Sequence, residues 1–173
     1  MLRVLQAFFE ITLHRRGPDS LPASRFLFGL VLVVHVLITW FTQIMPASLR
    51  LPLLYLVVDV SLDMAFIWSL LRAFEHERRF LQTAIAFFGV SILLNLFSVP
   101  LIPWLRSVEP GQPEATLPTV LVILLIVWKI DVSGFVIARS LSRPYVLGVA
   151  IMLGYALLSL SLQDTFFPQQ PAT

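Results

Sequence analysis

This sequence predicts an all-α polytopic membrane bundle of five transmembrane helices, preceded by an amphipathic helix at the interface. Three observations predict it. Hydrophobic residues make up 58% of the 173 and charged residues only 13%, with a mean hydropathy of +0.88, far more apolar than a soluble core of this size requires. The apolar residues fall into five runs of about 20, the length that a roughly 30 Å hydrocarbon core demands. None of the runs alternates with the period of two that barrel strands need, so helices are the spanning elements.

Residues 1–16 begin with Arg3 ahead of an apolar stretch, as a signal peptide does, but Gln6, Glu10 and His14 interrupt the run and no small-residue cleavage site follows. On a helical wheel Arg3, Gln6, Glu10 and His14 share one narrow face, and Leu2, Val4, Leu5, Phe8, Phe9, Ile11 and Leu13 fill the rest. Such a helix either lies in the membrane interface or docks on the bundle as a cap, and both uses are open. Arg3, Arg15 and Arg16 are placed to contact lipid headgroups. Gly17-Pro18-Asp19-Ser20 then breaks the helix. The transmembrane domain, residues 23–163, has spans at about 23–45, 51–71, 80–99, 117–138 and 144–162. Pro46 and Pro52 mark the first turn and Glu75 to Arg79 the second; Pro100, Pro103, Pro110, Pro113 and Pro118 bracket the third, and Arg139 to Pro144 form the fourth. Trp40, Trp104 and Tyr145 fall near span ends and read as interfacial anchors. Residues 164–173 read as a flexible tail.

The arginines orient the bundle. Basic residues in short loops are retained in the cytoplasm, and nine arginines lie in the N-terminal segment and the second and fourth loops, against Arg50 and Arg106 opposite. The expectation is an N-terminus in the cytoplasm and a C-terminus outside.

Ionisable residues inside the spans are the functional lead, because a charge at the membrane centre costs about 2.5–3.5 kcal/mol and needs a partner or a task. Asp59 and Asp63 sit one turn apart on the second span. Counted inward at a rise of about 1.5 Å per residue, they lie at ~12 and ~18 Å, Lys129 at ~18 Å and Asp131 at ~21 Å. The same count puts His35, Asn95 and Tyr155 at ~15, ~12 and ~12 Å. All five spans therefore feed one mid-membrane polar layer. Lys129 is the sole lysine and is level with Asp63, so a Lys129–Asp63 ion pair is expected. Asp131, about 200° further round the helix, points elsewhere. Asp59 is left to hydrogen-bond Asn95 or Tyr155, unless His35 supplies a second positive charge.

Other chemistries find little footing. Cysteine is absent, which removes thiolate ligands and cysteine nucleophiles. His14, His35 and His76 are scattered without ligand spacing, so neither a metal nor another cofactor is expected. Basic residues do not cluster with aromatics, which excludes a nucleic-acid face. Two acids on one helix, with no accompanying catalytic signature, make an intramembrane hydrolase a poor reading, and no catalytic residue is assigned. The pairs Ala65/Ser69, Gly134/Ala138 and Ala150/Gly154 are small residues four apart, suited to close helix packing.

Five spans, a short chain and the stretch from Val127-Trp128-Lys129 to Val136-Ile137-Ala138-Arg139-Ser140-Leu141 resemble the bacterial branch of the Yip1-type membrane proteins. The entry from Arg15 to Ser24 resembles proteobacterial inner-membrane proteins. The Asp-Leu-Tyr-Gly-Pro motif of the eukaryotic trafficking members is absent, so their GTPase partners do not carry over. The resemblance implies a five-helix scaffold in the bacterial inner membrane. Two functions stay in view: a non-enzymatic subunit or scaffold that associates with lipids, other membrane proteins or itself, and a proton- or cation-coupled transporter or channel component.

Overall fold

The computed structural model describes residues 2–44, 52–108 and 112–166. Six α-helices run through them: α1 (Leu2–Thr12), α2 (Arg25–Thr39), α3 (Pro52–Ala73), α4 (Phe80–Ser107), α5 (Thr116–Ser140) and α6 (Tyr145–Phe166). No strand occurs among the described residues. Five of the helices are long and apolar enough to cross a membrane, which makes the chain a multi-pass membrane bundle.

Local chemistry sets the ends. The Ser24 hydroxyl accepts from the Leu27 N–H and caps α2. Pro52 opens α3, where its missing N–H is no loss. The three helices that end beside one another, α1, α3 and α5, stop in the same way. Residues His14, Glu75 and Ser142 adopt φ of 58°, 61° and 53°, and the N–H of the next residue reaches back to Glu10, Leu71 and Ala138 carbonyls. This is the Schellman stop, usually built on glycine.

Helix α1 ends at Thr12, short of the expected residue 16, and two further boundaries differ from the sequence expectation. Helix α4 runs through Pro100 and Pro103 to Ser107 instead of ending near residue 99. Each proline forfeits one backbone hydrogen bond, a loss that transmembrane helices tolerate. Helix α6 continues to Phe166, so residues 164–166 belong to it; residues 167–173 of the expected tail lie outside the described residues.

Helix α4 is the axis of the bundle. Thr83 to Ser91 are buried without interruption, because α1, α2, α3 and α5 all pack against α4. Helix α6 lies on α5, and glycine makes that approach possible. A Cβ on Gly134 would sit 2.7 Å from Val149 Cα, and one on Gly148 would sit 2.7 Å from Ala138 Cβ. The Gly134/Ala138 pair thus receives Gly148, whereas Gly154 faces open space.

Helix α1 docks on the bundle, the second of its two expected uses. Ala7, Phe8, Ile11 and Thr12 are buried, with the Phe8 ring seated on Gly89 of α4. Leu5, Phe9 and Leu13 form a second apolar stripe that stays exposed, as lipid contact requires. Arg3 and Arg15 are exposed. Arg16, expected at lipid headgroups, makes an ion pair with Glu10 at 2.6 Å.

The loops beside α1 are tied together. Arg79 Nη1 donates to the Ser140 carbonyl at 2.9 Å and the Ser142 hydroxyl at 2.8 Å, and the Arg143 guanidinium lies over the Phe74 ring. Below them Thr83 donates to the buried Ser140 hydroxyl. Hydrogen bonds from a charged donor contribute about 1.5–3 kcal/mol net, less at this exposed site. Arg79→Ala is expected to lower the thermal midpoint in detergent by roughly 3–6 °C, with Arg79→Lys recovering part of the loss.

Candidate functional site

Every span carries polar residues four apart, hence on one face: His35 and Thr39 on α2, Tyr55, Asp59 and Asp63 on α3, Ser91 and Asn95 on α4, Lys129 and Ser133 on α5, and Tyr155, Ser159 and Gln163 on α6. The fold turns these five stripes toward one another around a cavity of about 300 Å³. Six of the seven residues expected in the layer line it: His35, Asp59, Asp63, Asn95, Lys129 and Tyr155. The cavity starts at mid-bundle and extends toward the end where α3 begins and α6 finishes, since Tyr55 and Gln163 also line it.

Asp131 is the exception. It faces away from the cavity, accepting from the Tyr145 hydroxyl and lying 3.4 Å from His14 Nε2, whose ring packs edge-on against Phe135. Depth alone had put Asp131 in the layer; the two-residue step from Lys129 turns it to the other side of α5. It joins α5 to the segment following α1, and Tyr145, expected as an interfacial anchor, is its partner.

The pairing inside the cavity also differs from expectation. Lys129 and Asp63 do not close an ion pair: among the described residues no carboxylate oxygen lies within 4 Å of the Lys129 nitrogen. Asp63 accepts instead from the Tyr155 hydroxyl at 2.5 Å, with the Tyr155 ring stacked on Phe66 of α3. Asp59 accepts from Gln163 Nε2 at 3.1 Å, not from Asn95 or Tyr155. Neutral donors on α6 thus hold both acids, and Lys129 shares their cavity without contacting either within 4 Å.

Several polar atoms on the wall have no partner. His35 is 4% exposed and Asn95 3%, yet both His35 ring nitrogens, Asn95 Nδ2 and Thr39 Oγ1 lack hydrogen bonds. Leaving such groups unsatisfied costs about 1–3 kcal/mol each, and in a finished structural network they would be paired. His35 Nδ1 or Nε2, an Asp59 oxygen and an Asp63 oxygen lie within 4.8 Å of one another. Sequence reasoning found no ligand spacing for a metal, because His35 is on a different helix from the acids and only tertiary packing joins them. It also missed Tyr55, Thr39 and Gln163, although their four-residue spacing from Asp59, His35 and Tyr155 was there to be read.

Comparison with protein-family models, curated proteins and solved structures gives no match. The Yip1-type likeness accordingly gains no support and lends no residue a role.

Proposed function

We propose that this chain is a non-enzymatic multi-pass membrane protein that binds a cation in its mid-membrane cavity and serves as a transporter or channel component. The observation that carries the reading is the cavity itself: five spans converge on two carboxylates while buried polar atoms on the wall stay unpartnered. A scaffold, the other reading, predicts a saturated polar network, since a half-satisfied one weakens the bundle it is meant to hold. Asp59 and Asp63 bring two carboxyl groups to the pocket against the single lysine Lys129. That balance favours a positive guest. Five helices are few for an independent carrier, so association with itself or with other membrane proteins belongs to the proposal. The arginine bias supports an N-terminal helix in the cytoplasm and a C-terminus outside, in a bacterial inner membrane. The cavity then opens toward the outer side.

Reconstitution into liposomes with proton- and cation-sensitive dyes tests this. Wild-type protein should dissipate an imposed cation or proton gradient, and Asp59→Asn should abolish the flux while the thermal midpoint stays within a few degrees. If no gradient is dissipated, and Asp63→Asn unfolds the protein but is rescued by neutralising Lys129, the layer is architectural and the scaffold reading stands.

A further inference from the structure

The geometry points to a transition-metal dication of the Fe²⁺ to Zn²⁺ group as the guest, ligated by His35, Asp59 and Asp63. This rests on the cation-binding reading above and names its ion. The three side chains come from two helices and bring one nitrogen and two oxygens within 4.8 Å of one another. Two donors on one such ion, each at about 2.0–2.2 Å, stand ~3.4 Å apart in a tetrahedral site.

The independent observation is His35. Its ring is almost wholly enclosed, it lines the cavity, and neither nitrogen has a hydrogen-bond partner. A neutral imidazole in that condition has a lone pair to give, and metal ligation is what such a lone pair satisfies. The donor set also selects the ion. Imidazole suits the divalent ions from Fe²⁺ to Zn²⁺ better than Na⁺, Mg²⁺ or Ca²⁺, which prefer all-oxygen shells. Soft Cu⁺ would look for thiolates, and the chain has no cysteine.

Two neighbours complete the argument. Asn95 Nδ2 is orphaned as placed; turned over, the same amide presents its oxygen to the cavity as a further ligand. The Lys129 ammonium lines the same cavity and acts as a tethered competitor. Its positive charge repels an arriving dication.

Cobalt(II) is the probe, because its visible absorption reports the ligand field directly. The full chain in detergent micelles, titrated with Co²⁺, should take up one equivalent with new visible bands, and Zn²⁺ should displace it. His35→Leu and Asp63→Asn should each weaken binding at least ~100-fold, whereas His14→Ala should leave it unchanged. Lys129→Met should tighten binding about tenfold, an effect that a merely structural lysine would not have. Binding that survives His35→Leu, or no saturable binding by a folded wild-type protein, overturns the assignment. If Co²⁺ fails to bind while an Asp59-dependent proton or alkali-ion flux persists, only the identity of the ion falls; if that flux is missing too, the transport reading falls with it.

Discussion

Gly148→Leu is expected to lower the thermal midpoint in detergent by roughly 10 °C or more, the equivalent of about 4 kcal/mol for a chain of this size. The added side chain has nowhere to go: even a Cβ would meet the Ala138 Cβ at 2.7 Å and the Ala138 backbone nitrogen at 2.8 Å. Helix α6 must then move off α5, and it takes Tyr155 and Gln163 away from Asp63 and Asp59. The control is on the same helix. Gly154 has no atom within 4 Å of a built Cβ, so Gly154→Leu should shift the midpoint by less than about 1 kcal/mol and can raise it, glycine being the poorer helix former. A scan in which both variants fall equally would show that close packing at Gly148 is not what joins the two helices.

The second large effect has the opposite sign. His35→Leu should stabilise the apo protein by about 1–3 kcal/mol, because an enclosed ring with two unpartnered nitrogens is exchanged for an apolar side chain of similar size beside Phe88. The measurement is the denaturation midpoint without added metal, and the expected rise is several degrees. A fall would mean that the imidazole is held by partners and contributes to the fold. Stability gained where binding is lost is the usual mark of a residue kept for function.

How much of this was legible in the sequence depends on which coordinate of a helix is asked for. Depth is legible, because each residue advances the chain by a fixed rise. Counting along the spans put His35, Asp59, Asp63, Asn95, Lys129 and Tyr155 in one layer, and the fold brings all six to one cavity. Azimuth is only partly legible. The step from Lys129 to Asp131 correctly separated their directions, but nothing in the chain said that Asp131 would meet His14 and Tyr145. Neighbour order is not legible without the packing. Lys129 and Asp63 match in depth and charge, yet α6 intervenes with a tyrosine that takes the carboxylate. The three helix stops at His14, Glu75 and Ser142 were hidden for a simpler reason: each uses a left-handed residue that is not glycine.

The tie made by Arg79 has a mechanical consequence. It pins the second and fourth loops together at one end of the molecule, while the cavity is lined toward the opposite end by Tyr55 and Gln163. Helices fastened at one end behave as the arms of a pair of tongs. A small tilt about the pinned end is geometrically amplified along their length and becomes widest at the mouth of the cavity. Beyond Asn95, where Pro100 and Pro103 remove two backbone bonds from α4, one arm is already softened.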